Sequence, residues 1–455
     1  MFIDRGHYLE KLNHLYEQPG FHCVNLYADQ GMGKTTFLRE LVKGKKTLYF
    51  RAQNTTEKEN FLALKAESLR VLGQEDKLIK AGRFSELLRA VGMASKKEPL
   101  LFIIDDFPHL IQKNRRLSTL FHSYGEKDKA EFLVLFVLCK PERRYCKEIN
   151  QVSYPVCLRP FSFFQMKELN TGLSPIEQVS LYGVTGGIPG YIRYFQNSSS
   201  FEETLYQLYF QENGILYRLP ALTLQSKAPE PESAHSALLC LGAKRRKLHE
   251  ICDRTDMTPS AAGSLMNSLG HAGITEKIIP VTEDQGSRRT LYRISNPVFR
   301  FWYTFVAGHT SDIELGKGRQ VFENIVLPRL DEYFRDTFED ICRQFLEKLK
   351  MAGKSPFSYS AVGSWWGQHP TKKRTEYVPI AAADDNNILL GDCFWTDEWI
   401  DLDGLQELQR HAGLFPHSSK WYTLFAKSDF VSGMETIYGD TVKVFTLAEM
   451  CSFPG

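Results

Sequence analysis

The sequence predicts an α/β chain that opens on a parallel sheet, and three observations predict it. Strand-like and helix-like stretches alternate through roughly the first two hundred residues. Two of the strands, Leu100-Leu-Phe-Ile-Ile104 and Phe132-Leu-Val-Leu-Phe-Val-Leu138, are unbroken apolar runs. A glycine-containing loop suited to phosphate joins the first strand to the helix after it. A strand that is apolar at every position has both faces covered, which is the situation of a parallel sheet between helix layers.

The elements follow in order. His22-Cys-Val-Asn-Leu-Tyr27 is a short apolar strand, Phe37–Val42 a helix and Thr47-Leu-Tyr-Phe50 a second strand. Helices are expected near Lys58–Leu72 and Phe84–Ala94, followed by the two apolar strands. Tyr154-Pro-Val-Cys-Leu158 closes the series as a fifth strand. At ~150 residues per domain, a chain of this length predicts about three domains.

Composition narrows the class. With 43% hydrophobic and 24% charged residues the chain is globular, neither disordered nor collagen-like nor a coiled coil. The net charge of +2 excludes a general polycation for nucleic acid, while leaving room for a local basic face. The longest apolar run, Phe132 to Cys139, falls far short of the ~20 residues that span a bilayer, so no membrane association is expected. The first residues, Met1-Phe-Ile-Asp-Arg5, have no apolar core of a signal peptide. Nine cysteines, an odd number with no C-x-x-C pair, suit the reducing cytoplasm, which is the expected location.

The sharpest motif is Ala28-Asp29-Gln30-Gly31-Met32-Gly33-Lys34-Thr35-Thr36, which fits G-x-x-x-x-G-K-[ST] with Ala28 in place of the first glycine. Small residues let successive backbone N–H groups turn inward around a β-phosphate. Lys34 adds a charge on the β/γ-oxygens, and the Thr35 hydroxyl ligates Mg²⁺ at a helix N-terminus whose dipole favours anions. Seventy-one residues beyond Lys34, an apolar strand ends in Asp105-Asp106, the Walker B pattern. Asp105 is expected to hold Mg²⁺ through water, and Asp106 to orient or deprotonate the attacking water. Most such sites carry Glu at the second position; Asp is one methylene shorter and predicts slow hydrolysis. One strand separates the two motifs and another follows, the arrangement of P-loop NTPases with an additional strand. The tip of that last strand, Cys139-Lys140, is a poor polar sensor.

Further segments give a family resemblance. Phe2-Ile-Asp-Arg5, the phosphate loop, Ile103-Ile-Asp-Asp-Phe107, Leu158-Arg-Pro-Phe161 and Thr185-Gly-Gly-Ile-Pro189-Gly-Tyr191 occur in the order of the archaeal-type ATPase family, a relative of AAA+ and STAND NTPases. The resemblance continues through Asn296-Pro-Val-Phe-Arg-Phe-Trp-Tyr303, Phe338-Glu-Asp-Ile-Cys342, Ser364-Trp-Trp-Gly367 and Leu424-Phe-Ala-Lys-Ser428. It implies ATP and Mg²⁺ as ligands and places Gly186, Gly187 and Pro189 near the adenine. The domains it implies are an ATPase core over 1–170, a helical lid over 171–224, a winged helix over 233–297 and a nuclease-like domain over 298–455.

The middle part has the pattern of a winged helix after a loose Gln225–Glu232 linker. Helices are expected over Ala234–Leu241, Leu248–Arg254 and Pro259–His271, with wing strands Ile278-Ile-Pro-Val281 and Thr290–Ile294. The second-motif helix carries no Lys or Arg, so base readout is weak. Lys244, Arg245, Arg246 and Lys247, with Arg288 and Arg289 on the wing, are the candidate contacts to duplex DNA phosphates.

The C-terminal part resembles the PD-(D/E)XK nucleases, an α/β restriction-endonuclease-like fold. That family carries a helical Glu, a strand with Glu-x-Asp and a strand with Gly-Glu-x-Lys-Trp. Here Glu339 stands on the helix, Glu376-Tyr-Val378 gives Val at the Asp position, and Gly391-Asp392-Cys-Phe394-Trp395 gives Asp for Glu and Phe for Lys. Val cannot ligate a metal and Phe supplies no charge, so the domain is expected to bind a protein partner rather than cut. Two functions are compatible with these motifs: an ATP/ADP-dependent regulatory switch, or an ATP-driven DNA-processing enzyme with nuclease activity. Arg115, Arg116, Arg143 and Arg144 are the candidates for an arginine finger.

Overall fold

A computed structural model describes residues 5–96, 98–112, 114, 116–117, 120, 132–138, 154–169, 172–196, 200–284, 286–368, 374–431 and 439–454. Arg115, Arg143, Arg144 and the Cys139-Lys140 sensor position lie outside the described residues. The chain forms two compact units, one of residues 1–160 with 188–190 and one of 161–187 with 191–455.

The first unit contains α1 (Gly6–Glu17), β1 (Phe21–Ala28), α2 (Lys34–Leu41), β2 (Thr47–Arg51), α3 (Glu57–Leu72), α4 (Asp76–Lys80), α5 (Phe84–Ser95), β3 (Leu100–Asp105), α6 (Pro108–Ile111), β4 (Phe132–Leu138) and β5 (Tyr154–Leu158). The strands form one sheet in the order β2-β3-β4-β1-β5, parallel throughout. All six residues of β3 are buried, as an apolar strand between two helix layers must be. Phe102, Ile104 and Phe136 on one face pack with Phe61 and Leu64 of α3 and Leu87 and Val91 of α5. At roughly 1.5–3 kcal/mol for each fully buried large apolar side chain, this layer fixes the strand ends that carry the motifs. Because β1 and β3 both run parallel to β4 between them, the loops after β1 and β3 emerge on the same edge of the sheet.

The second unit begins with helices α7 (Phe163–Lys167), α8 (Pro175–Thr185), the body of α9 (Pro189–Gln196), α10 (Phe201–Tyr209) and α11 (Ile215–Lys227). The expected Gln225–Glu232 linker is shorter than its composition suggests. Helix α11 runs to Lys227, and α12 (Pro231–Leu241) starts at Pro231, a residue preorganised for a first helical turn. Helices α13 (Leu248–Thr255) and α14 (Pro259–His271) follow, with the Thr258 hydroxyl accepting from Ala261 N–H at the α14 cap. The hairpin strands are β6 (Thr275–Ile278) and β7 (Leu291–Ile294), paired antiparallel. The first lies three residues earlier than expected. Gly273, at φ +70°, turns the chain straight into Thr275, and Pro280 has no N–H to give a ladder. Val281 N–H instead donates to Ser364 O of the next sheet.

After α15 (Pro297–Phe305) and a run of short turns, the long α16 (Leu330–Met351) packs on a second sheet. Its strands are β8 (Val362–Gln368), β9 (Thr375–Ala383), β10 (Asn387–Phe394), β11 (Ser419–Ala426) and β12 (Val442–Thr446), in the order β12-β11-β10-β9-β8. Strands β8, β9 and β10 run antiparallel, while β10, β11 and β12 run parallel. Helices α17 (Leu402–Ala412) and α18 (Leu447–Ser452) complete the unit. Among the described residues no helix is long and apolar enough to cross a membrane.

Candidate functional site

The loop after β1 and the end of β3 meet in the first unit. Ala28 closes β1; Asp29, Gln30, Gly31, Met32 and Gly33 make the turn; Lys34, Thr35 and Thr36 open α2. Gly31 and Gly33 take φ of +83° and +77°, a region that side chains with a Cβ rarely enter, so the turn needs glycine at both. Gly33 caps α2 without a side chain, which leaves the helix N–H groups at the loop. The Thr35 and Thr36 side chains are exposed.

Lys34 Nζ lies 2.9 Å from Asp105 Oδ1 and 3.7 Å from Asp106 Oδ1. The two motifs separated by seventy-one residues in sequence are therefore in hydrogen-bond contact. Asp105 Oδ1 also accepts from Asp106 N–H at 2.9 Å. Asp106 sits at φ +53°, an uncommon conformation for a residue with a Cβ, which turns its carboxylate back toward Lys34.

Two side chains in this site, Tyr49 and Arg51, had no motif to announce them, and Arg5 belongs to the opening Phe2-Ile-Asp-Arg5 segment. The Tyr49 hydroxyl donates to Asp105 Oδ2 at 2.8 Å, and Arg51 Nε donates to Asp106 Oδ2 at 2.7 Å. Both come from β2, whose register sets Arg51 beside Asp105. Partial burial, with the Asp105 carboxylate beside it, keeps the Tyr49 hydroxyl protonated well above its ordinary range. Arg5 is buried and donates to Met32 O at 2.5 Å and to Arg159 O at 3.1 Å, so its guanidinium ties the back of the phosphate loop to the segment after β5. A tyrosine and an arginine on alternate positions of an edge strand resemble solvated surface; only the strand order reveals their use.

The Gly-Gly-Ile-Pro turn divides between two roles. Pro189 opens α9, and Gly190 N–H donates to Gly31 O at 2.8 Å. A Cβ on Gly190 would come within 2.8 Å of Gly31 Cα, so this turn lies directly against the phosphate loop. Gly186 and Gly187 have positive φ, and a Cβ on Gly187 would lie 2.0 Å from Phe161 O. Gly187 O accepts from Phe161 N–H, which makes it a packing position in the second unit.

A second group of acids lies on α16, and its surroundings are different. Glu339 Oε1 accepts from Arg245 at 2.8 Å, Arg343 at 2.6 Å and the Tyr377 hydroxyl at 2.7 Å. Burial would raise the Glu339 carboxyl, but Arg343 and Arg245 outweigh it and hold it below the usual range. Asp340 Oδ1 accepts from Arg293 and Arg343, both at 2.7 Å, and Oδ2 from Arg300 at 3.2 Å. Here too the guanidiniums overcome burial and keep the carboxyl far below its ordinary range.

The remaining nuclease-like positions do not converge on Glu339. Val378 is fully buried in the cluster of Trp365, Leu405 and Leu408, while its neighbour Tyr377 is the β9 residue that reaches Glu339. Placing Val378 at the metal position is thus corrected by a single step of strand alternation. Glu376 pairs with Arg374 at 2.6 Å and with His411 Nε2 at 3.2 Å, on the α17 side. On β10 the Cys393 thiol meets Cys342 of α16, while Asp392 lies near His411 and Glu407; burial, with Glu339 adding to it, pushes Asp392 up to about 6. Phe394 packs on Gly404 of α17. Among the described residues no group of three His, Cys, Asp or Glu side chains could hold a metal ion. The Glu339 carboxylate is occupied by two guanidiniums and a tyrosine hydroxyl.

The basic cluster is only partly open. Lys244, Lys247, Arg288 and Arg289 are exposed, although Arg289 is ion-paired with Glu283. Arg246 pairs with Glu250 at 2.8 Å, and Arg245 is committed to Glu339. Arg245 is corrected from a candidate phosphate contact to an internal counter-charge.

Residues 302–409 match a family model described as archaea bacterial proteins of unknown function, DUF234. The C-terminal domain matches that family. This agrees with the resemblance drawn from the sequence, in which the same stretch forms the family's C-terminal part. An uncharacterised protein of Methanocaldococcus jannaschii is 23% identical over 403 residues, covering 85% of each chain. Solved structures with similarity include Cdc6p of Pyrobaculum aerophilum (16% identity, 70% of this chain and 95% of that one, TM-score 0.32). Orc1 of Aeropyrum pernix in complex with DNA has 12% identity over 69% and 95% of the two chains, TM-score 0.32. A STAND protein with a tetratricopeptide repeat sensor from Pyrococcus horikoshii has 14% identity over 78% and 52%, TM-score 0.32.

Proposed function

We propose that the chain is a P-loop ATPase that binds ATP–Mg²⁺ between Gly31–Thr36 and Asp105, hydrolyses it slowly, and acts as a nucleotide-dependent regulatory switch with a non-cutting nuclease-like domain. The observation that carries the reading is the contact of Lys34 with Asp105 and Asp106 at the end of a buried parallel sheet. The glycine turn and exposed Thr35 suit a triphosphate and its metal. Thr35 and Asp105 would hold Mg²⁺, which supplies charge neutralisation at the phosphate oxygens. Lys34 turns from the two carboxylates to the β/γ-phosphate oxygens when the nucleotide enters. Tyr49 keeps one Asp105 oxygen fixed while the other faces the site. Asp106 accepts the proton of the attacking water, and Arg51 occupies its Oδ2. Pro189 and Gly190 flank the loop on the side assigned to the base.

A DNA-processing enzyme is the second reading. Exposed Lys244, Lys247 and Arg288 favour phosphate contact, but the commitment of Glu339 to arginines removes the cutting chemistry. ATP turnover and molecular mass measured together, with and without duplex DNA, test the first reading against the second. The expected result is slow turnover and no cleavage of DNA or RNA with Mg²⁺ or Mn²⁺. Cleavage that disappears in Glu339→Ala or Asp392→Ala would transfer the protein to the nuclease class.

A further inference from the structure

The carboxylates of α16 occupy a junction between two modules of the second unit. Arg245 and Arg293 belong to the three-helix module and its hairpin, Arg300 to α15, and Arg343 to α16 itself. Arg245 reaches Glu339 and lies 5.0 Å from the centroid of the Tyr377 ring. Asp336 stands 3.9 Å from the same guanidinium. Arg293 bridges Glu276 of its own hairpin and Asp340 of α16. Arg343 joins Glu339, Asp340 and Pro379 O, so the two carboxylates share a central fork. Side chains of Glu339, Asp340, Arg293, Arg300 and Arg343 are all less than one-fifth exposed.

Charges so placed have already lost their water, and only partners restore it. A guanidinium presents planar donors that satisfy carboxylates and carbonyls together, which suits such a site better than lysine. A divalent ion entering here would have to displace Arg245, leaving it only Asp336 at 3.9 Å, and compete with Arg343 for Glu339. That cost exceeds what one free carboxylate oxygen offers a metal.

We propose that Arg245 and Arg293 are the fixed counter-cations of Glu339 and Asp340, and that the helical carboxylates serve to latch the three-helix module to the C-terminal sheet in place of holding a metal. The two modules then respond to any upstream change as one body. The backbone bond from Val281 to Ser364 O marks a second attachment of the hairpin to the same domain. This proposal stands apart from the nucleotide site and does not depend on it.

The test is a double-mutant cycle in the full chain with Arg245→Ala, Glu339→Gln and the pair, read by thermal unfolding with and without Mn²⁺. Each single change is expected to lower Tm by about 5 °C or more, because Arg245→Ala removes one of the two cations on buried Glu339 and Glu339→Gln leaves Arg245 only Asp336 at 3.9 Å. The double change is expected to cost no more than about either single one, since residues in direct contact do not add. Mn²⁺ is expected to leave the wild-type Tm unchanged. If Arg245→Ala does not fold, Arg245→Lys replaces it in the cycle; it should retain part of the coupling because the charge remains. Additive costs would overturn the latch, and so would a Mn²⁺ stabilisation of wild type that Glu339→Gln abolishes.

Discussion

The chain holds two sets of acids, one at a strand end and one on a helix, and they differ in what faces them. Asp105 and Asp106 face Lys34, Tyr49 and Arg51; the Arg51 side chain is 69% exposed and that of Lys34 25%. Glu339 and Asp340 face Arg245, Arg293, Arg300 and Arg343, with Glu339 only 8% and Arg300 only 5% exposed. A lysine on a flexible stem can leave Asp105 for an arriving phosphate, because the Tyr49 hydroxyl and the Asp106 N–H still satisfy that buried carboxylate. Buried guanidinium forks cannot leave without stranding charge. Similar chemistry thus gives a candidate site in the first unit and a joint in the second, and the freedom of the cation decides which.

The sharpest way to break this comparison is to remove the movable cation. Lys34→Ala should abolish the rise in Tm that ATP–Mg²⁺ gives the wild type, while changing the Tm of the nucleotide-free protein little. Asp105 keeps the Tyr49 hydroxyl and the Asp106 N–H as donors when the lysine is lost, so little of the folded state depends on that pair. Equal melting shifts in mutant and wild type would remove the phosphate-loop assignment.

The joint should behave oppositely, with stability rather than binding as the casualty. Asp340→Asn leaves Arg293, Arg300 and Arg343 around a neutral amide and should cost about 3–5 kcal/mol in urea unfolding at neutral pH. The native carboxyl lies far below its unfolded value of about 3.9. Its contribution is therefore complete above that value and disappears as pH falls toward the native one. The gap between wild type and Asp340→Asn should narrow in acid. A constant gap across that range would mean that the side chain acts through shape alone.

Asp392 sharpens the comparison because it is a buried acid with neither kind of cation. Its pKa of about 6 lies above the unfolded value of about 3.9, so the sign reverses. Protonation stabilises the fold below the unfolded value, and that stabilisation is lost as pH rises through about 6. Asp392→Asn should consequently raise stability above neutrality by roughly 1–3 kcal/mol and change little in mild acid. A loss of stability at both pH values would show that the ionised carboxylate has a favourable partner.

Sequence reasoning reached these sites unevenly, for physical reasons. The central strands β3 and β4 were legible because a doubly covered strand must be apolar throughout, as Leu100–Ile104 is. Lys34 and Asp105 were legible because phosphate and metal chemistry restrict the residue types. Tyr49 and Arg51 were not: polar residues on an edge strand resemble ordinary surface until β2 is placed beside β3. Arg245 was misassigned for a related reason. A run of four basic residues does not say which side chain turns inward, and that depends on Glu339 almost a hundred residues away. The error at Val378 is one of parity, since neighbouring strand positions face opposite ways.

The smallest expected effect concerns Arg51, the exposed cation that the nucleotide site shares in kind with the buried joint. Its hydrogen bond to Asp106 Oδ2 holds that oxygen away from the attacking water. A well-placed general base is worth ~10²–10⁴-fold, and a base with one oxygen engaged should forfeit only a small part of that. Arg51→Ala should therefore raise ATP turnover about two- to tenfold, with nucleotide affinity unchanged because Lys34 and the glycine turn are untouched. Asp106→Glu should also raise turnover, by restoring the missing methylene of reach. If Arg51→Ala instead lowers turnover at saturating ATP, Arg51 assists the reaction directly, and this site too would depend on an arginine that stays in place.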